Sequence, residues 1–346
     1  LPQLWSAGRR RRLDRDRPKR LILIAESLAG GSPEAFEAFG IRVRYDPEFA
    51  TNRGALLDAL GDATALVVRN AVQVDRELLA RAPLLRAVGR LGTGLDNIDA
   101  GAARERGIAI VDAGDANADA VAEFVFGTLL AIERDLAASD RAVRAGRWPR
   151  FEKSFGELGG KTLGIAGLGR SGARVAKLGR AFNMTVIGTR RTPGLPEDLE
   201  ALGVERVDPG ELFARSQYLV LLLPPLASGR PFIDEAALAA MRRDAILVSV
   251  ARGSLVDEAA LLRALDAGAL RAVVLDTRLH EPPPPGDALT AHARAFNTPH
   301  LAGLTAEAQL RVTATVARGL GIALQLRPDR HRSVDSPRLP GTSANS

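Results

Sequence analysis

No cysteine occurs in the 346 residues, which removes disulfides, thiolate nucleophiles and cysteine-ligated zinc or iron–sulfur centres in one step, and no metal site is expected. Histidine is scarce as well: His280, His292, His300 and His331 are the four imidazoles available for acid–base chemistry. Long apolar runs are missing. None approaches the about 18 residues that a membrane-spanning helix needs, so no membrane partner is expected. The body of the chain also lacks an excess of either charge. The net charge of +6 sits in residues 1–20, where eight basic side chains face Asp14 and Asp16, and the remainder holds 39 basic and 39 acidic groups. That first segment reads as a disordered basic tail without the apolar stretch of a signal peptide, and beyond it nucleic acid is not an expected partner.

What is present is enough apolar residue, 46%, and enough length for two domains, each with its own core. Leu21–Ala25 is a continuous apolar strand and 41–45 alternates strictly. Buried strands follow at 65–68, 85–88 and 108–111, separated by helical patterns such as 75–81. A long helix opens at Asn117, and a second strand series runs 184–188, 218–223, 245–250 and 272–276, with helices near 170–182, 234–241 and 257–267. This βαβ alternation predicts parallel sheets covered on both faces. Pro282–Pro285 is a surface loop, and a last helix from about Thr305 carries Val312, Val316 and Leu320 on one face.

The stretch 162–176 turns from an apolar strand through Gly167, Gly169 and Gly172 into an amphipathic helix. Such a turn suits a dinucleotide. The first glycine makes the tight turn, the second lets a pyrophosphate approach the backbone, and the third lets helix and strand pack closely, with Arg170 and Ser171 at the helix start beside the phosphates.

Four segments in order resemble the D-isomer-specific 2-hydroxyacid dehydrogenase family, and within it the 3-phosphoglycerate dehydrogenase branch. They are Gly89-Arg90-Leu91-Gly92-Thr93-Gly94-Leu95-Asp96-Asn97-Ile98-Asp99, the run 158–170, Ala251-Arg252-Gly253-Ser254-Leu255-Val256-Asp257-Glu258, and Thr298-Pro299-His300. The resemblance implies two doubly wound parallel-sheet, Rossmann-like α/β domains, the nucleotide domain being inserted into the substrate domain. The flavodoxin-like substrate domain would comprise 21–115 and 300–328, the NAD(P)-binding domain 116–299, and disordered tails 1–20 and 329–346. The expected form is a cytoplasmic homodimer. No segment of domain size follows residue 330, so control by an appended ligand domain is not expected.

Reduction of a 2-keto acid by a nicotinamide needs a cation for the carboxylate, a proton donor for the developing alkoxide, and a group that holds the donor. Arg252, His300 and Glu281 fit these roles, each just past a strand at the carboxyl edge of the sheet, and by resemblance they are the family's catalytic residues. Glu281 would hold the imidazole and favour its protonated form; His280, beside Glu281, is the rival donor. Asp276 ends its strand at the same edge and is assigned to the cofactor. Backbone N–H groups of Gly92, Thr93 and Gly94 would meet the substrate carboxylate. Asn117 is a ligand contact or a helix cap. By resemblance Arg69 and Arg90 face the distal end of the substrate, which implies a second anionic group, phosphate or sulfonate.

Two departures stand out: Leu304 replaces a serine usual in the family, and Pro224-Pro225-Leu226-Ala227 lacks the polar residues often found beside the nicotinamide. A third concerns the cofactor. The acidic residue expected about twenty positions past the glycine turn is Arg190 here, followed by Arg191 and flanked by Thr189 and Thr192. Guanidinium groups suit a 2′-phosphate, so NADP(H) is expected in preference to NAD(H). The expected activity is that of a phosphoglycerate dehydrogenase. Alternatives are a sulfolactate dehydrogenase, a glyoxylate or hydroxypyruvate reductase, and a non-catalytic nucleotide-sensing protein like the corepressors on this fold.

Overall fold

The computed structural model describes residues 20–326; the expected tails, 1–20 and 329–346, lie outside them apart from Arg20. The chain divides into two compact units, one running up to Asn117 and resuming at Ala306, the other formed by Ala118–Thr305. The second is therefore an insertion in the first. Its limits differ by a few residues from the expected 116 and 299, because the turn after Thr298 is bonded back to the central unit through Asp276.

In the outer unit β1 (Leu21–Ile24), β2 (Arg42–Tyr45), β3 (Ala65–Val68), β4 (Ala87–Arg90) and β5 (Ala109–Val111) form a parallel sheet in the order β2-β1-β3-β4-β5. That order reverses direction between β1 and β3, which places a crevice at their carboxyl ends. The apolar runs of β1 and β3 are buried on both faces, whereas β2, at the edge, keeps its exposed arginines. The fourth strand starts at Ala87 rather than 85, since it extends to a buried Arg90 that hydropathy alone does not count. The helix Ala306–Ala323 returns to this sheet, and Val312, Val316 and Leu320 pack with Ile22, Ile24, Ala65 and Ala87. A Cβ on Gly89 would lie 2.7 Å from Val316 Cγ1, so this glycine sets how closely the helix can approach.

In the central unit β6 (Thr162–Ala166), β7 (Thr185–Thr189), β8 (Glu205–Arg206), β9 (Tyr218–Leu221), β10 (Ile246–Ser249), β11 (Ala272–Leu275) and β12 (Ala295–Asn297) form a parallel sheet ordered β12-β11-β10-β9-β6-β7-β8. Strand β8 has only two exposed residues and no apolar signal, which is why the pattern misses it. Helices begin where an aspartate can cap them: Asp208, Asp234 and Asp257 each accept from the backbone N–H three residues on. The sheet is covered by two apolar clusters, one containing Leu163, Val186, Val220 and Val248, the other Ile187, Leu219, Leu247 and Val273.

At the amino edge of this sheet Glu133, 2% exposed, accepts from Tyr218 Oη at 2.6 Å and from Arg271 Nη1 at 2.6 Å, with Lys161 Nζ 3.3 Å away. Burial disfavours its ionised form, but Arg271, Tyr218 and Lys161 together outweigh burial and hold the carboxyl below the usual range. Because the folded value lies below the unfolded one, this contribution is complete above the ordinary carboxylate range and fades as the pH falls through the depressed value. Glu133→Ala should therefore cost about 3–5 kcal/mol at neutral pH by urea denaturation, and the gap to the parent protein should narrow in acid. A loss under about 1 kcal/mol would show the cluster to be peripheral to stability.

Candidate active site

The glycine turn joins β6 to the helix Arg170–Ala181 on the β6 side of the β6/β9 switch point, where strand order reverses and doubly wound sheets bind ligands. Each glycine has a separate reason. Gly167 has φ +109, and a Cβ there would lie 2.8 Å from the Leu222 carbonyl carbon and Leu223 N; a Cβ on Gly172 would strike the Gly167 carbonyl. Gly169 differs from both. It is the N-cap, its φ is ordinary, and a Cβ there would meet nothing within 4 Å. Protein packing does not call for glycine at 169, and the open space beside it suits a pyrophosphate meeting the helix N-terminus. Arg170 is exposed and Ser171 half-buried on the first turn.

Past β7, Arg190 Nε donates to Thr192 Oγ1 at 2.5 Å, and Arg206 on β8 reaches the Arg190 carbonyl at 3.3 Å. Arg190, Arg191 and Arg206 thus cluster at the end of β7. Nothing in the sequence marks Arg206 for this place, since only the pairing of Gly188 with Arg206 brings it there.

Arg252, Glu281 and His300 follow β10, β11 and β12, which are neighbours in the sheet. Glu281 Oε2 and His300 Nδ1 are 2.8 Å apart, which leaves the imidazole's other nitrogen, Nε2, outside this bond. The Arg278 N–H donates to Glu281 Oε1 at 3.0 Å. Burial works against an ionised Glu281, but His300, the Arg278 N–H and the charge of Arg252 prevail and depress its carboxyl below the usual range. Arg252 Nη1 donates to the Ala251 carbonyl at 2.7 Å. A Cβ on Gly253 would run into the Arg278 carbonyl and Leu279 N, so the glycine after Arg252 lets the Glu281 segment lie directly against it. His280 is exposed and no ion pair or hydrogen bond ties it to Glu281 among the described contacts.

Asp276 is 1% exposed. Its carboxylate accepts from Thr298 Oγ1 at 2.7 Å, Leu301 N at 2.8 Å and Ala302 N at 3.0 Å, while its carbonyl accepts from His300 N at 2.9 Å. These bonds hold His300 at φ +53, a left-handed conformation uncommon outside glycine. Asp276 therefore acts on the site by shaping the His300 turn, its carboxylate being taken up by these donors.

The other predicted residues belong to the outer unit. Arg69 follows β3 at the β1/β3 switch point, with Nη1 2.8 Å from Gln309 Oε1. Buried Glu26 accepts from the backbone N–H groups of Arg69, Ala71 and Val72, and Asn97 donates to the carbonyls of Arg69 and Val72, so the Arg69 loop is held on both sides. Burial lowers the Arg69 guanidinium from its ordinary value, opposed by Glu26. Arg90 is buried at the end of β4, and its guanidinium occupies the space that a side chain on Gly92 would fill. Thr93 and Gly94 continue that loop, and Asn117 immediately precedes the helix Ala118–Glu133. Among the described residues no group of three or more His, Asp or Glu is arranged to hold a metal, and no helix is long and apolar enough to cross a membrane.

Residues 126–302 match the profile of the NAD-binding domain of D-isomer-specific 2-hydroxyacid dehydrogenases. D-3-phosphoglycerate dehydrogenase of Methanocaldococcus jannaschii is 38% identical over 300 residues, covering 86% of this chain and 56% of the relative. The protein of the same name from Mycobacterium tuberculosis is 39% identical over 304 residues, covering 88% and 57%. Among solved structures, a glyoxylate reductase from Paecilomyes thermophila superposes with a TM-score of 0.79 at 32% identity, covering 89% of this chain and 96% of that one. The chain belongs to the D-isomer-specific 2-hydroxyacid dehydrogenase family and is similar to its phosphoglycerate dehydrogenase branch. It spans little more than half the length of the curated relatives named above.

Gly169→Val gives a clean test of the phosphate cradle, because the added side chain points into open space. Titration with NADH and NADPH, followed by nicotinamide fluorescence, should show affinity lowered about tenfold or more while the melting temperature stays within a few degrees of the parent. Undiminished binding would move the pyrophosphate away from this turn.

Proposed function

We propose that this chain is an NAD(P)-dependent D-2-hydroxyacid dehydrogenase whose substrate carries a second anionic group, as 3-phosphoglycerate does. The observation that carries the reading is the Glu281–His300 pair, bonded at 2.8 Å, at a strand end adjacent to that of Arg252. A nicotinamide cofactor supplies or accepts the hydride when bound. Arg252 pairs with the substrate carboxylate through its planar fork. His300 delivers a proton from Nε2 to the oxygen of the carbonyl being reduced, and ionised Glu281 holds Nδ1–H and offsets the imidazolium charge. A nucleotide-sensing protein has no need of this acid–base pair, which favours the enzyme over the corepressor-like alternative.

Arg69 and Arg90, with the N–H groups of Gly92, Thr93 and Gly94, are assigned to substrate binding, and Asn117 to the same role. The names of the curated relatives support phosphate as the second anion; sulfonate, or no second anion as in glyoxylate, are the readings that a substrate panel separates. A homodimer is assigned, with Leu136, Trp148 (77% exposed) and Phe151 (87% exposed), apolar side chains on and after the helix Leu136–Arg144, facing a second copy.

Reduction of a panel of 2-keto acids, followed at the reduced-nicotinamide band, tests the reaction. The phosphorylated three-carbon keto acid should exceed pyruvate and glyoxylate in kcat/KM. His300→Ala should lower kcat by about a hundredfold or more with cofactor binding retained; near-normal turnover would transfer the proton to His280.

For the cofactor, the cluster of Arg190, Arg191 and Arg206 supports NADP(H) over NAD(H). Arg190→Asp should reverse the preference, chiefly through the Michaelis constant for the cofactor. A parent protein that already uses NAD(H) as efficiently as NADP(H) would refute the preference while leaving the reaction untouched.

A further inference from the structure

Arg278 lies three residues before Glu281 and is only 7% exposed. Its guanidinium is bonded in several directions at once. Nε and Nη2 donate to the two oxygens of Glu258 at 3.0 and 3.1 Å, and Nη2 also meets both oxygens of Asp287 at 2.9 and 3.0 Å. Nη1 reaches Thr290 Oγ1 at 3.1 Å and Asn297 Oδ1 at 3.4 Å. Glu258 additionally accepts from Leu279 N at 2.9 Å. The side chain thereby links its own segment to the start of the helix Glu258–Asp266, to the helix Ala288–Ala291 with its Asp287 cap, and to the end of β12. From the same residue the backbone N–H points to Glu281 Oε1, and the other oxygen of Glu281 meets His300.

We infer that Arg278 is a positioning residue for the proton-delivering pair: its buried fork fixes the backbone that aims Glu281 at His300. Burying a guanidinium among carboxylates is a poor route to net stability compared with apolar packing, and its gain here is a fixed geometry. The fork is needed, because a lysine presents a single ammonium and cannot meet Glu258 and Asp287 in the same planar arrangement. Charged groups beside the pair include Arg252 and the Asp276 carboxylate that binds the two N–H groups following His300. Arg278→Met also leaves Glu258 and Asp287 without their cation, and these uncompensated anions would favour an imidazolium and oppose the expected shift. Arg278→Lys keeps the positive charge and removes only the fork, so it isolates the aim of Glu281.

The inference rests on the reductase reading above, and two readouts separate its failure from the failure of that reading. Arg278→Met and Arg278→Lys are compared with the parent protein. A far-UV circular dichroism spectrum and a melting temperature close to the parent's report intact folding. In keto-acid reduction, kcat should fall about tenfold in the Met variant and less in the Lys variant. The basic limb of the kcat/KM profile should move to lower pH, since an imidazole held less firmly against a carboxylate gives up its proton more readily. The second readout needs no turnover: with labelled histidine, the NMR titration of His300 should move in the same direction. Should the Met variant not fold, the Lys variant decides alone. A His300 titration and basic limb that coincide with the parent's, whatever happens to kcat, overturn the inference. A parent protein inactive on every 2-keto acid overturns the reductase reading, and the NMR titration still judges the role of Arg278.

Discussion

The carboxylate of Asp276 is the constraint from which the site follows. It sits at the end of β11, out of water, and collects a hydroxyl and two backbone N–H groups from the turn after β12. A buried carboxylate left unpaired would be strongly unfavourable, so the turn must supply all three donors, and it can do so only by wrapping around the strand end. That wrapping forces His300 into a left-handed backbone conformation and delivers its ring to Glu281. Local strain at one residue is compensated by three hydrogen bonds to a charged acceptor, each stronger than a neutral one.

The remainder of the site is an exercise in adjacency. Parallel strands β10, β11 and β12 end side by side, so the residues that follow them meet without long loops. Gly253 removes the side chain that would separate the Arg252 turn from the Glu281 segment, and Arg278 ties that segment to the elements behind it. On the other side of the sheet centre the glycine turn uses the same geometry for a different end: Gly167 and Gly172 satisfy packing, and Gly169 leaves room beside a helix N-terminus.

Acidic groups in the central unit are held ionised by two different means. Glu133 relies on Arg271, Tyr218 and Lys161 at the amino edge, opposite the strand ends to which the proposed chemistry is assigned, and so serves cohesion. Glu281 relies on a histidine and a backbone N–H, which leaves its charge available to an imidazolium. The same residue type thus secures the sheet at one edge and, in the proposed reaction, tunes a proton donor at the other.

The strands, the glycine turn and the apolar face of the last helix were legible in the sequence, since each depends on a local period or on a steric demand at a single position. So was the placement of Arg252, Glu281 and His300 just past the ends of three extended runs, although the roles proposed for them came from the resemblance to a family. The edge strand β8 was not legible, because two exposed residues carry no pattern. Arg206, Arg278, Gln309 and Glu26 were not legible either. Their partners lie on other segments of the chain or, for Arg69 and Gln309, 240 residues apart, and a charged side chain shows its function only when the chain has folded around it. What the sequence determined by itself was where the backbone turns and which faces are apolar, because these are short-range effects of shape and hydration. Which carboxylate binds which N–H, and which arginine is buried rather than solvated, was decided by tertiary structure alone, because hydrogen bonds depend on distance in space and the sequence records only distance along the chain.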